Sequence, residues 1–577
     1  MMTAWLVLAS VGILLAVLIH GRVPAAIAFT VLAGIYLLAG LIQASAYLAS
    51  FSNSALATLV VLLLVSIALE RSPILGQLSR LLIRPGSATR AVFRLSGASV
   101  LASAFVNNTA VVGAFLGMVT HQRRIAPSKL LIPLSYASIL GGICTLVGTS
   151  TNLVVNSFAV NAGLPALAMF QFTWVGVPVA LVCLVVLALS ARLLPVRETD
   201  SKRDAHAYFV EALIAADSPM AGKTIEANGL RNLDGLFLVE ILRGGRLISP
   251  VGPETVLEPE DQLLFTGEVQ KLQTMRQFKG LHVFGAPASS LLASNLVEVV
   301  ISNESELAGR TLREVDFRTM FDAGVVAIRR GERRLTGQLG RIPLRVGDSL
   351  LLATGPDFRQ HRNLDRNFHI LNGDGLRPHL GRWQNRLVTG GFALVIALSA
   401  LNWLPLLQGM MVLLALLLAS GVLSLSEIRR RFPFELVLII GSALAMATVL
   451  ETSGAAALIA GGIRYVFQDY GVMGAFVGVY LMTLALTELV TNNAAAALAF
   501  PIALSTARAF GVDPTAFVMV VAYGASAGFL MPFGYQTHLM VYSAGHYRMG
   551  DFVRVGLPVS IAYSVCVLLL VPLVFPF

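Results

Sequence analysis

The chain has 577 residues, of which 56% are hydrophobic and only 13% charged, and its mean hydropathy of +0.75 excludes an ordinary water-soluble globular protein. The formal charge of +10 lies in a few loops between apolar runs, so it argues against a nucleic-acid partner and makes the placement of the basic residues the informative quantity. Cys144, Cys183 and Cys566 fall inside apolar segments without paired spacing, which indicates neither a disulfide framework nor a zinc site.

A bilayer requires about 20 predominantly apolar residues of a spanning helix. In chain order, such runs read as spans at 3–20, 23–43 and 55–70, an interrupted polar-spotted region at 88–120, a long segment at 129–160 and a span at 173–194. The first run lacks a basic leader and a small-residue cleavage site, and reads as a retained helix. A charged, mixed block follows from Glu198 to about Arg386. Apolar segments then resume at 387–403, 408–424 and 433–451, with a small-residue stretch at 454–466, an interrupted region at 473–508, and segments at 515–543 and 553–575. These divisions predict a first transmembrane repeat at 1–197, two soluble units at 205–288 and 293–375, and a second transmembrane repeat at 385–577.

With the amino terminus outside, Arg22, Arg71, Arg80, Arg84, Arg90, Arg94, Arg123, Arg124, Lys129, Arg192, Arg197, Lys202 and Arg203 share one side with Arg429, Arg430, Arg431, Arg548 and Arg554. The loops at 44–54 and 161–172, on the other side, carry no charge. Positive-inside bias then places the middle block in the cytoplasm of a multi-pass inner-membrane protein. One half begins outside and the other inside, so the halves read as inverted copies, an arrangement of many secondary carriers.

The middle block contains its own repeat. Ser218-Pro-Met-Ala-Gly222-Lys223-Thr224 matches Ser305-Glu-Leu-Ala-Gly309-Arg310-Thr311, and Leu257-Glu-Pro-Glu-Asp261 matches Leu344-Arg-Val-Gly-Asp348, both at an offset of 87 residues. Aliphatic runs such as 297–301 and 325–328 read as strands, with Asp-ended turns before a closing strand, so two α+β units of roughly eighty residues are expected. Gly222-Lys223-Thr224 superficially suits a phosphate loop, but Asp217 stands where such a loop needs its first glycine, and a structural turn is the better reading.

The sharpest signal is a pair of polar clusters in apolar surroundings: Ser103-Ala-Phe-Val-Asn107-Asn108-Thr109-Ala110, and Thr487-Glu-Leu-Val-Thr491-Asn492-Asn493-Ala494. Uncompensated amides in hydrocarbon cost several kcal/mol each, so such clusters imply partners. A hard cation needs several oxygen ligands, and a broken helix offers amide oxygens and freed carbonyls together. A second polar break follows in each half, at Gly148-Thr149-Ser150-Thr151-Asn152 and Pro532-Phe533-Gly534-Tyr535-Gln536-Thr537-His538. Unwinding there would point half-helix amino termini at an anion. His538 reads equally as a proton-sensitive contact or as a group bonded to backbone, and Glu488 as an ion-coupling carboxylate or a water-facing one.

At these residues the chain resembles the divalent anion/sodium symporter family, whose members carry dicarboxylates, citrate or sulfate and have a Ser-Asn-Thr signature in each of two re-entrant hairpins. The resemblance implies an α-helical, inverted-repeat, elevator-type carrier, working as a homodimer in membrane lipid. Sodium sites carried over from the family fall on Ser103, Asn107, Asn108 and Gly148, and on Thr487, Thr491, Asn492 and Gly534. Substrate contacts fall on Asn108, Thr109, Asn492, Asn493, Thr149 and Tyr535. Asn107 stands where the family often has Ser, Thr491 and Asn493 replace Ser and Thr, and the usual Thr-Pro-Pro breaks read Thr149-Ser150-Thr151 and Tyr535-Gln536-Thr537. The paired middle units resemble TrkA-C domains, the carboxy-terminal domains of RCK modules, which would take a small ligand. Relatives with two of them resemble sulfate permeases.

The expectation is therefore import of a divalent anion, sulfate ahead of a C4-dicarboxylate, coupled to sodium ions as the transported cation and without an organic cofactor. A ligand-gated ion channel is the alternative of another class, but no Thr-Val-Gly-Tyr-Gly-like filter occurs. No cluster of nucleophile, base and orienting group suggests an enzyme.

Overall fold

The structure is a computed structural model that describes residues 2–20, 23–72, 88–122, 125–197, 209–230, 233, 236–244, 246–248, 251–267, 278–284, 296–302, 305–331, 333–335, 339–354, 358, 363–370, 380–401, 403–466, 468–532 and 534–577. Arg22, Arg80, Arg84, Arg123, Arg124, Lys202, Arg203 and Phe533 lie outside the described residues.

The first apolar block forms helices α1 (Met2–His20), α2 (Ala25–Leu38), α3 (Ala44–Phe51), α4 (Ser54–Glu70), α5 (Ala88–Ser103), α6 (Asn108–His121), α7 (Leu131–Gly142), α8 (Ser150–Asn161) and α9 (Thr173–Ser190). The second forms α10 (Arg382–Ala400), α11 (Leu406–Ala419), α12 (Leu425–Arg431), α13 (Phe434–Thr452), α14 (Ala455–Val466), α15 (Gly471–Leu489), α16 (Asn492–Phe510), α17 (Thr515–Ala525), α18 (Gln536–Ala544) and α19 (Met549–Val574). Both blocks begin with a long helix, a 14-residue helix, a short one and another long one, and both later have a helix pair, an interrupted helix and a closing helix, which α14 precedes in the second block. Six helical segments among the described residues are long and apolar enough to cross a membrane. All four tryptophans, Trp5, Trp174, Trp383 and Trp403, are exposed, as expected of side chains that face lipid or its headgroup boundary.

Two short helices depart from the expected spans. The charge-free stretch at 44–54 contains α3, and the basic stretch at 429–431 closes α12, whose Ser424 and Glu427 form a capping box. At that end of the bundle the halves are clasped: Arg431 bridges Glu70 at 3.0 Å, Arg71 bridges Glu427, and the Ser72 hydroxyl donates to Asn385 at 2.7 Å.

The interior is joined across the halves by buried tyrosines. A phenol in an apolar core must find an acceptor. Tyr136 of α7 donates to the Phe529 carbonyl at 2.5 Å, Tyr523 of α17 to that of Phe172 at 2.8 Å, and Tyr547 to that of Ser128 at 2.7 Å.

Between the blocks stand two five-stranded antiparallel sheets. The first contains β1 (Phe209–Ile214), β2 (Leu236–Arg243), β3 (Arg246–Ile248), β4 (Gln262–Gly267) and β5 (Leu281–Phe284) in the order β3-β2-β4-β1-β5. The second contains β6 (Leu296–Ile301), β7 (Ala323–Arg330), β8 (Arg333–Leu335), β9 (Ser349–Thr354) and β10 (Phe368–Ile370), and read from β8 its order is the same. The 87-residue offset recurs in the bulges at Leu238/Glu240 and Val325/Ala327 and in the bridges Thr224–Val256 and Thr311–Pro343. Asp261 and Asp348 precede β4 and β9, which are interior strands; the expected closing strands are instead β5 and β10. Gly222 and Gly309 sit in left-handed turns, in keeping with the structural reading of those motifs.

Each sheet has the same clasp. Arg243 makes two bonds of 2.8 Å to Asp261, and Arg330 two of 2.7 Å to Asp348, with each guanidinium also reaching a carbonyl, Val256 or Pro343. The hydrogen bonds to these carboxylates, outweighing burial, hold both guanidinium groups above their usual range. Asp348 is buried, so Arg330→Ala strands its charge and is expected to cost about 3 kcal/mol. Hydrogen exchange in β7 and β9 of the full chain should then accelerate roughly a hundredfold, while β2 and β4 keep their protection.

Candidate functional site

The two polar clusters form two matching turns. In the first, α5 ends at Ser103 and α6 restarts at Asn108, and Asn107 caps α6 by accepting from the Thr109 amide at 3.1 Å. The Ser103 hydroxyl donates to the Asn108 side-chain oxygen at 2.6 Å. In the second, α15 ends at Leu489, α16 restarts at Asn492, and the Thr487 hydroxyl donates to the Asn492 side-chain oxygen at 2.9 Å. Hydroxyl and carboxamide are five residues apart in both. Thr491 stands at the cap position of α16 without a side-chain cap bond and is exposed.

The second breaks are longer than the polar residues suggested. α7 stops at Gly142 and α8 starts at Ser150, so the unwound stretch is 143–149, and Ser150, Thr151 and Asn152 form the first turn of α8. Likewise the described residues at 526–532 and 534–535 lie outside helices, and Gln536, Thr537 and His538 open α18. The first stretch is held internally: Asn152 donates to the Thr145 carbonyl at 2.8 Å, the Gly148 amide donates to the Thr145 hydroxyl at 3.1 Å, and that hydroxyl donates to the Ala104 carbonyl.

Oxygen atoms gather around Gly148. A Cβ there would lie 2.6 Å from the Gly142 carbonyl oxygen and 3.0 Å from that of Ser103. A Cβ on Gly142 would meet the Asn108 side-chain oxygen at 2.7 Å. Glycine is therefore required at both places by close approach, which brings oxygen atoms of Ser103, Asn108 and Gly142 close together beside Gly148. In the second half a Cβ on Gly534 would lie 3.5 Å, and one on Gly528 3.8 Å, from the Thr487 carbonyl oxygen, and the Thr487 hydroxyl also reaches the Ala525 carbonyl at 2.6 Å.

The halves then exchange contacts. The Thr109 hydroxyl bonds Gln536 at 3.2 Å, and the Ser150 hydroxyl bonds Asn493 at 3.3 Å. Each turn thus touches the break of the other half, and the first turns of α6 and α18, and of α8 and α16, meet in pairs. Helix amino termini carry a positive dipole end, so the two pairs offer a setting that suits an anion. The Tyr535 hydroxyl is buried beside Ser526 and Thr149, and neither it nor the Ser526 hydroxyl has a hydrogen bond of ordinary geometry. Beside the first turn, a cavity is lined by Asn107, Gly148, Thr149 and Ser150, with Ser66 of α4 and Phe392 of α10 opposite.

Of the expected residues, Ser103, Asn108 and Gly148 are brought together, as are Thr487 and Asn492 with Gly534 near the Thr487 carbonyl. Thr109 and Asn493 make the contacts between halves. Their partners, Gln536 and Ser150, are the neighbours of the expected Tyr535 and Thr149; both carried the signal of a polar side chain in the first turn after a break. Gly142 and Thr145 were missed because an apolar run conceals the unwinding.

Two ionisable groups have structural partners. His538 bonds the Gly528 carbonyl at 2.9 Å through Nε2, which must carry the proton, and Ser135 at 2.8 Å through Nδ1. Glu488 is half-buried, and its carboxylate accepts three successive amides, Phe529, Leu530 and Met531, each at 3.0 Å. Among the described residues, no group of His, Cys, Asp and Glu could hold a metal ion.

A family model described as citrate transporter matches residues 13–522. The chain belongs to the citrate transporter family. It is therefore a multi-pass membrane transporter rather than an enzyme. Among the relatives of this family member is a protein of Chlamydomonas reinhardtii that bears the name of a sulfur deprivation response regulator, 32% identical over 96% of this chain and 100% of its own length. An uncharacterized transporter of Synechocystis is 32% identical over 94% of this chain and 92% of its own. Sodium/sulfate cotransporter 1 of Chlamydomonas reinhardtii is 30% identical over 61% of this chain and 42% of its own length.

Proposed function

We propose that this chain imports a small divalent anion, sulfate first, together with sodium ions. The observation that carries this reading is the meeting, in two pairs, of four helix amino termini next to two turns rich in oxygen atoms. The Thr109–Gln536 and Ser150–Asn493 contacts assemble this arrangement from both halves. Hydroxyls, amides and N–H groups suit an oxyanion without a fixed lysine or arginine. Carbonyl and carboxamide oxygens suit a hard cation.

In this reading Ser103, Asn107, Asn108 and Gly148 hold one sodium ion, and Thr487, Thr491, Asn492 and Gly534 a second. The anion is held by Asn108, Thr109, Asn492, Asn493, Thr149 and Tyr535, with Ser150 and Gln536 added by the contacts between halves. Sodium bound at the turns orders them, creates the anion site and couples the two gradients. The halves are inverted repeats in an inner membrane, the turns and breaks move as a unit in an elevator-like motion, and the carrier is a homodimer. The two sheets are TrkA-C-like units on the cytoplasmic side that take a small ligand. The names of relatives such as the sodium/sulfate cotransporters support sulfate.

A second reading, a carrier of citrate or a C4-dicarboxylate, is favoured by the family description. Uptake of labelled sulfate into proteoliposomes separates the readings. Sulfate should accumulate with an inward sodium gradient and be displaced by unlabelled sulfate in preference to citrate or succinate. Equal uptake driven by a proton gradient alone would refute sodium coupling, and displacement by carboxylates instead would refute sulfate.

A further inference from the structure

The duplication in the middle of the chain provides an internal control, because each position of one sheet unit has a counterpart 87 residues away in the other. At the turn before β9 stands Gly347, with φ +82°; its counterpart before β4 is Glu260, with φ +68°. Both amides donate to the equivalent carbonyls, Gly347 to Ile301 and Glu260 to Ile214. The backbone is the same, and only the side chain differs.

The surroundings differ sharply. Glu260 is exposed, whereas Gly347 is buried against α18, where a Cβ would already lie 3.6 Å from Leu539. The Ser543 hydroxyl donates to the Gly347 carbonyl. A Cβ on Gly331 would meet the Tyr542 ring at 2.6 Å, but one on its counterpart Gly244 would meet no described residue within 4 Å. Val300 of β6 is buried in the apolar core that it shares with the membrane helices, while its counterpart Leu213 is half-buried. Arg329 donates to the His546 ring just beyond α18.

From these paired differences we infer that the second sheet unit carries a glycine-built seat for α18, and that this seat mechanically links the soluble module to the transport site through Gln536, while the first unit lacks it. α18 is nine residues long. Its first residue, Gln536, meets Thr109, and Leu539, Tyr542 and Ser543 rest on the second unit. A displacement at the seat therefore reaches the site within a single short, rigid helix. Gln536 also lines a cleft shared with Val300, Val346, Gly347 and His369 of the second unit.

The test exchanges the paired residues in the full chain. Gly347→Glu installs a side chain that the first unit already carries on this left-handed backbone, and Glu260→Gly is the reverse exchange. The seat is read by amide hydrogen exchange at 344–348 and 539–545, and its linkage to the site by the rate of labelled sulfate uptake, the latter resting on the carrier reading above. Gly347→Glu should deprotect both segments and change the uptake rate by at least about fivefold, and Glu260→Gly should do neither. Retained protection in Gly347→Glu overturns the seat, and lost protection with unchanged uptake overturns the linkage. An equal response to Glu260→Gly overturns the assignment to the second unit. If β7 and β9 also lose protection, Val346→Glu, at a position without left-handed backbone, carries the same test. A wild-type chain that takes up no sulfate refutes the carrier reading, while the exchange data still decide the seat.

Discussion

Asn108→Ala and Asn492→Ala should each abolish sodium-driven uptake. Each carboxamide oxygen accepts the hydroxyl five residues before it, from Ser103 or Thr487, so on the proposed reading the substitution removes a sodium ligand; it also leaves the Ser103 hydroxyl without this acceptor, whereas the Thr487 hydroxyl keeps the Ala525 carbonyl. A ligand lost from a dehydrated ion is worth about 3 kcal/mol, or on the order of a hundredfold in apparent sodium affinity. Asn108 has the tighter surroundings, since its side chain presses on Gly142 where even a Cβ could not fit. Uptake measured against a sodium titration should show the half-saturating concentration rising beyond the accessible range for both variants. Either variant transporting at normal sodium dependence would remove the turns from the cation sites.

Glu488→Ala should raise the sodium requirement through the backbone rather than through a lost ligand. Three consecutive amides of the 526–535 stretch end on one carboxylate, and hydrogen bonds to an ionised group are the strong kind, about 1.5–3 kcal/mol each. Their loss leaves three unpaired N–H groups in the segment that carries Gly534 past the Thr487 carbonyl. The expected result is a rise of roughly a hundredfold in half-saturating sodium for Ala, and a smaller one for Glu488→Gln, which keeps an acceptor. In the first half the equivalent residue, Ala104, is fastened by the Thr145 hydroxyl to its carbonyl instead. Thr145→Val should therefore disturb the first turn and leave the second intact. A Glu488→Ala protein with altered anion affinity and unaltered sodium dependence would contradict this role.

Much of the arrangement was legible because it rests on composition. Asn107, Asn108, Asn492 and Asn493 stand out in apolar surroundings, where only a partner can offset the cost of burial. The two sheet units were legible from matching motifs at a fixed offset. The extent of unwinding was not, since Ile143 to Val147 and Ser526 to Met531 are apolar or small residues whose hydropathy is the same in a helix or out of one. The helices α3 and α12 escaped notice for a related reason: one is short and uncharged, the other short and basic, and both resemble loops. Partners far apart in sequence were also out of reach. Nothing near Glu488 points to amides at 529–531, and nothing near His538 points to Ser135. The difference between Gly347 and Glu260 was visible in the aligned motifs, but its meaning depends on the helix that lies against only one of them.

The crosswise exchange at the site, with Thr109 on Gln536 and Ser150 on Asn493, has a consequence for ancestry. Neither half makes these contacts alone, because each lends its turn to the other and borrows a break in return. Under the inverted-repeat reading proposed above, a progenitor the length of one half could have made these contacts only by meeting a twin of itself, and joining the halves in a single chain keeps that encounter within one molecule.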